Sequence, residues 1–232
     1  MAGDSLDARL DGLAALAEPV RRRLYRFVVT HPEPVSRDVA AEGIGVARHV
    51  AKFHLDRLVS AGLLQVEYRR PPGRRGPGAG RPTKLYSRSP QSIEVTVPER
   101  RYELAARFLA AAVTDTDRAQ TGAAEALGQV ARNAGRALGE DARRRAGARP
   151  SRAQLLVSAR AVLDDHGYDT RKTAAGVTMV NCPFAALAAD YTELVCGMNL
   201  DFVNGLLVGL AIPKVAARLD PGPDRCCVVL AP

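Results

Sequence analysis

Between residues 32 and 64 the chain is punctuated so tightly that few folds are open to it. Pro32-Glu33-Pro34 breaks any helix arriving from upstream. Ser36 is a good N-cap for a short helix over residues 36–42. Gly43 and Gly45 bracket a tight turn, and a helix over 46–61 stops at Gly62, just before Leu63-Leu64. Short helix, glycine turn, second helix and a following apolar pair make the grammar of a helix-turn-helix. Residues 6–30 supply two further helices. Leu6, Leu10, Leu13, Leu16 and Ala17 recur at helical spacing, and Pro19 restarts a helix carrying Val20, Leu24, Phe27 and Val28.

In the helix over 46–61, Val50, Leu55, Leu58 and Val59 form the inward stripe, whereas Arg48, His49 and Lys52 cluster outward in its N-terminal half. That half enters a major groove, where arginine and lysine reach guanine edges or phosphates and His49 does either more weakly. Two strands are expected over 63–70 and 83–87, joined by a loop of Gly, Pro and Arg too poor in apolar residues to pack a core. As a hairpin tip this loop carries Arg69, Arg70, Arg74, Arg75 and Arg81 beside the recognition helix. Arg81, in a Gly-Arg-Pro step, is extended and thin enough for a narrow A·T-rich minor groove. The competing reading is a basic linker touching phosphates without selectivity.

Charge agrees with this placement. The net charge of +8 resides almost wholly in residues 1–90, which hold 16 Lys/Arg against 9 Asp/Glu, while residues 91–232 hold 17 against 16. A polyanionic partner is therefore expected at the N-terminal part. The first apolar stretch, 13–17, is short and flanked by Asp11 and Glu18, unlike a secretory leader. The later apolar run 194–212 contains Asn199, Asp201 and Asn204 and reads as a core helix, not a membrane span. The expected location is the cytoplasm.

From Pro98 the pattern becomes a long alanine-rich helix with Tyr102, Ala105, Phe108, Leu109 and Ala112 on one face, suited to pairing with its twin in a homodimer. Residues 141–150, with Arg143, Arg144, Arg145 and Arg149, read as an exposed linker. A helix through Leu155 and Leu163, a strand over 176–180, a long helix over 193–210 and a last strand over 225–230 give an α+β C-terminal domain. All four cysteines, Cys182, Cys196, Cys226 and Cys227, lie in the last 51 residues. Pro183 places Cys182 at a helix N-cap, where the dipole favours a thiolate. On a strand the vicinal pair faces opposite ways, so one of Cys226 and Cys227 is expected to meet Cys182 and Cys196. There is no C-x-x-C knuckle for structural zinc. An iron–sulfur cluster accepts dispersed thiolates and a variable fourth ligand more readily. Free cysteines are also ordinary core residues, and Cys196 on an apolar helix fits that role.

The stretch Ser36, Ala40-Ala41, Val46, Phe53-His54-Leu55, Leu58, Ala61-Gly62-Leu63-Leu64 through Gly80-Arg81-Pro82-Thr83-Lys84-Leu85-Tyr86 resembles the winged helix of ArsR-like bacterial regulators. Asn181-Cys182-Pro183-Phe184, Leu194-Val195-Cys196-Gly197-Met198-Asn199-Leu200, Gly205-Leu206-Leu207 and Ala217-Arg218-Leu219-Asp220-Pro221 before Cys226-Cys227 are similar to the C-terminal domain of the Suf-type iron–sulfur cluster-binding repressors. The resemblance implies a homodimer on a double-stranded operator that represses when loaded with a cluster, [4Fe–4S], held by Cys182, Cys196 and Cys226 or Cys227. Some members have a more regular four-cysteine spacing, and a histidine is expected where Ala185 stands. The fourth ligand is thus open among water, the second vicinal cysteine, Asp190 and Glu193. The expected architecture is α+β: residues 1–90 a winged helix-turn-helix, 91–150 a helical dimerisation region and linker, and 151–232 a cysteine-containing sensor domain. No enzyme activity is expected. The alternative keeps the DNA reader and gives the C-terminal domain an apolar-ligand pocket lined by Phe184, Leu187, Met198, Phe202 and Leu206; a thiol redox enzyme using Cys226-Cys227 is a third reading.

Overall fold

The computed structural model describes residues 6–70, 82–119, 122–173 and 176–231. It mixes helices with two small antiparallel sheets and divides into two units, Met1–Val95 and Thr96–Pro232.

The first unit holds α1 (Leu6–Ala15), α2 (Pro19–Thr30), β1 (Val35–Ser36), α3 (Arg37–Ile44), α4 (Arg48–Ser60), β2 (Leu64–Arg69) and β3 (Thr83–Arg88), with sheet order β1-β3-β2. Each helix end has a local cause. Glu18 accepts from the amides of Val20 and Arg21 to start α2, and Ser36 Oγ accepts from Val39 N at 3.2 Å to start α3. Gly45 closes α3 at φ +67°, and Gly62 stands just past α4 at φ +71°. Around Gly62, Leu63 N bonds Leu58 O and Gly62 N bonds Val59 O, a Schellman closure that turns the chain into β2. Leu24, Val28, Ala40, Ala51, Leu55, Leu58, Leu64 and Tyr86 are buried together. The leucines Leu6, Leu10 and Leu13 of α1 are instead about two-fifths exposed.

The second unit contains α5 (Tyr102–Ala119), α6 (Ala123–Arg145), α7 (Arg152–Asp165), β4 (Thr170–Thr173), β5 (Gly176–Met179), α8 (Ala185–Asp190), α9 (Thr192–Leu210), β6 (Ala216–Leu219) and β7 (Val228–Ala231). Its sheet runs β4-β5-β7-β6, antiparallel throughout. Ala105, Phe108, Leu127 and Ala131, from the helices over 91–150, share one core with Phe184, Phe202 and Leu206. One expectation is corrected here: 141–150 is not wholly a linker, since α6 continues to Arg145 and buries Ala142.

Helices α6 and α9 meet at backbone distance, and glycine is what allows it. A Cβ on Gly135 would lie 2.0 Å from Phe202 O, one on Gly139 2.3 Å from Leu206 O, one on Gly205 2.1 Å from Arg132 O and one on Gly209 2.2 Å from Arg136 O. Helix α9 is long and apolar enough to cross a bilayer by length and composition, and most of its apolar window is buried within this unit. The three polar residues beyond its first turn, Asn199, Asp201 and Asn204, are each engaged. Asn199 meets Tyr168 and Cys226, Asp201 pairs with Arg132, and Asn204 Oδ1 accepts from Ala217 N at 3.0 Å on β6. Arg143 of α6 donates to Leu210 O at 2.7 Å, satisfying a carbonyl at the end of α9.

Candidate nucleic-acid interface and cysteine site

On α4 the inward residues are Ala51, Leu55 and Leu58. Arg48, His49 and Lys52 are exposed on the other side, as expected, and they are joined there by Phe53 and Arg57. Arg48 is held at the edge of this face by Asp38 of α3, Nε to Oδ1 at 3.5 Å. Half-buried His54 lies 3.5 Å from Glu18.

The hairpin is fixed to α4 through one carboxylate. Asp56 Oδ1 accepts from Lys84 Nζ at 2.5 Å and from Tyr86 OH at 3.1 Å, both on β3. Burial alone would raise the Asp56 carboxyl; the hydrogen bonds from Lys84 and Tyr86 and the charges of Lys84 and Lys52 outweigh it and hold the group below its usual range. Strands β2 and β3 pair from Leu64↔Arg88 to Arg69↔Thr83. Arg69 ends β2 with its guanidinium against Glu67 at 2.6 Å and Glu33 at 3.9 Å, and Arg70 follows, exposed. Arg74, Arg75 and Arg81 lie outside the described residues.

A short helix, a left-handed glycine turn, an exposed cationic helix and a hairpin tied to that helix are now in place. Residues 16–67 match the family model of a helix-turn-helix domain. No curated protein matches the chain. The helix-turn-helix domain makes this unit a DNA-binding one, and the chain is of the transcription-regulator kind. The match spans α2, α3, α4 and most of β2, so the tie from Asp56 to β3 and the whole second unit lie largely or wholly beyond it.

In the second unit the structure gathers the cysteines by a different route from the one expected. Cys182 is not a helix N-cap: α8 begins at Ala185 with Phe184 at its cap position, and Cys182 sits in the preceding turn, its carbonyl accepting from Ala185 N at 3.1 Å. Cys226 and Cys227 precede β7 instead of lying within it, so strict alternation does not govern them. Cys226 lies close enough to act electrostatically on the Cys182 thiol, and Cys227 on that of Cys196 near the start of α9. The strand alternation from which only one of the vicinal pair was expected to reach the others therefore does not apply to them. No three His, Cys, Asp or Glu side chains among the described residues converge closely enough to hold a metal ion.

The thiols are electrostatically unequal. The Cys226 thiol, with the Phe184 amide and the charge of Arg100, outweighs burial and brings the Cys182 thiol down to about 7. Burial, reinforced by Cys227, pushes Cys196 up to about 12. Cys226, within reach of Cys182 and itself 1% exposed, is also pushed up. A buried relay continues inward: Tyr168 OH donates to Asn199 Oδ1 at 2.5 Å, and Asn199 Nδ2 donates to Cys226 Sγ at 3.3 Å. Nothing in the sequence marked Tyr168 for this role, and Asn199 carried only the signal of a polar residue in an apolar helix.

The turn carrying Cys182 is also the seat of the segment that enters this unit from residue 96. Arg100 Nη1 donates to Asn181 Oδ1 at 2.5 Å and to Cys182 O at 3.4 Å. Asn181 Nδ2 donates to Glu99 O at 2.9 Å and Gly167 O at 2.5 Å, while Arg101 N donates to Pro183 O at 3.0 Å. The five residues of the apolar-pocket reading are core: Phe184, Met198, Phe202 and Leu206 are buried, and Leu187 packs against them.

Proposed function

We propose that this protein is a cytoplasmic homodimeric repressor whose winged helix binds a double-stranded operator and whose C-terminal unit senses iron–sulfur status through its cysteines. Arg48, His49 and Lys52 read the major groove, Arg69 and Arg70 with Arg74, Arg75 and Arg81 of the hairpin contact phosphates and minor groove, and two copies address two half-sites.

The observation that carries the sensor reading is the gathering of all four cysteines in one unit, with Cys182 in electrostatic reach of Cys226, Cys196 in reach of Cys227, and the last two adjacent in the chain. Dispersed cysteines without a C-x-x-C knuckle favour a thiolate-ligated cluster, [4Fe–4S], over structural zinc. Cys182, Cys196, Cys226 and Cys227 would hold it after closing together from their present, wider arrangement, the second vicinal cysteine filling the fourth position in place of exposed Asp190 or Glu193. When bound, such a cluster supplies an oxidant-sensitive cross-link among the four thiols. The chain's own contribution is to couple that site to DNA binding. The Cys182 turn is hydrogen-bonded to residues 99–101, which continue directly from the DNA-binding unit, so displacement of the turn changes the bonds that hold this segment.

Anaerobic purification followed by a visible spectrum and an iron and sulfide count tests the reading. A broad absorption band lost in Cys182→Ser, Cys196→Ser and Cys227→Ser is expected. A colourless, iron-free protein, or iron content indifferent to these changes, overturns it.

A further inference from the structure

Phe53 is 56% exposed, and it stands at the middle of the outward face of α4. At about 100° per residue it lies roughly opposite the buried Ala51 and Leu55. With His49, Lys52, Asp56, Arg57 and Ser60 it lines an open groove of about 480 Å³. Its ring is steadied from within the helix, by the Arg57 guanidinium 5.7 Å from the ring centre and by the His54 ring edge-on at 5.1 Å. Neither contact covers it.

An apolar ring held in water among cations is stabilised by burial against another apolar group, and the flanking charges select a polyanion as the source of that group. Along a major groove the base edges present polar donors and acceptors with one exception, the C5 methyl of thymine. We infer that Phe53 is a specificity-determining residue that packs its ring on a thymine C5 methyl, while Arg48 and Lys52 on the same helix take polar edges or phosphates. Lysine and arginine are long and adaptable; a ring with two torsions, wedged by Arg57 and His54, imposes a narrower geometric demand on the base beneath it.

The inference rests on DNA binding by this unit, and the test separates the two. Full-length protein selects duplexes from a random library, and each thymine of the selected duplex is then replaced by deoxyuridine, which lacks only the methyl. For the wild type, one thymine position, or one per half-site, should weaken binding about fourfold on replacement, the scale of one buried methyl. For Phe53→Ala that penalty should vanish. Phe53→Leu, which keeps an apolar group, should retain part of it. Equal uridine penalties in wild type and Phe53→Ala, or no penalty at any thymine, overturn the inference alone. Failure of the wild type to retain any duplex overturns DNA binding and the inference together.

Discussion

Arg100 Nη1 and Asn181 Oδ1 lie 2.5 Å apart although 81 residues separate them along the chain, and the contact fastens the first residues of the second unit to the turn that presents Cys182. The Asn181 amide is engaged on both sides, accepting from Arg100 and donating to Glu99 O and Gly167 O. Side-chain amides so fully used are expensive to lose, because their partners stay behind in a poorly solvated place.

Asn181→Ala should therefore destabilise the metal-free protein by about 2–3 kcal/mol, read by urea unfolding. Asn181→Asp keeps an acceptor for Arg100 but sets a carboxylate oxygen against Glu99 O and Gly167 O, so its midpoint should fall well below wild type as well.

Gly135→Ala and Gly209→Ala each set a Cβ against the backbone of the facing helix, at 2.0 Å from Phe202 O and 2.2 Å from Arg136 O. Backbone cannot step aside as a side chain can. Each change should cost about 2–4 kcal/mol by forcing α6 and α9 apart, whereas Gly197→Ala, which meets nothing within 4 Å, should be neutral or stabilising. Thermal melts of the three variants check this.

His166, its ring nitrogen 2.7 Å from Val162 O, is held below its ordinary value of 6.5, chiefly by burial. With the folded value lowered, the unfolded chain takes up this proton first as pH falls. The stability His166 contributes is thus present above about 6.5 and lost as pH falls below it. Denaturation midpoints at pH 7.5 and 5.5 should differ more for wild type than for His166→Asn.

Cys182 offers a second pH signature in the metal-free protein. Its thiol titrates at about 7 while Cys196 titrates at about 12. Alkylation by iodoacetamide should rise through pH 7 at Cys182 and leave Cys196 nearly untouched there, as mapped by peptide mass. Arg100→Gln, removing one cause of the lowered value, should move the Cys182 profile to higher pH.

Tyr86 is 1% exposed and gives its hydroxyl to Asp56. Asp56→Ala strands that hydroxyl and should cost about 1–2 kcal/mol as well as weakening duplex binding through the loosened hairpin. Tyr86→Phe removes the buried donor itself and should cost less. An Asp56→Ala protein with unaltered melting and binding would show the hairpin to be held by other contacts.

The first unit was legible because its determinants are local. Ser36, Gly45 and Gly62 act within a few residues of themselves through capping and positive φ, so α3, the turn and α4 follow from sequence order. The outward position of Arg48 and Lys52 follows from helical period alone. Less legible were the short strands β4 and β6, whose residues Thr170–Thr173 and Ala216–Leu219 have little apolar alternation and exist through pairing with β5 and β7.

What tertiary structure alone decided is the relation among the cysteines. Their clustering late in the chain was visible in the sequence, but strand alternation does not govern Cys226 and Cys227, which stop short of β7. The same holds for Gly135, Gly139, Gly205 and Gly209. Each pair repeats at four-residue spacing, yet only the packing of α6 on α9 shows that the missing Cβ atoms face backbone. Period and capping depend on neighbours along the chain and can be read in order; the placement of the thiols and helix contact depend on where distant segments meet, which the packing of the whole unit sets.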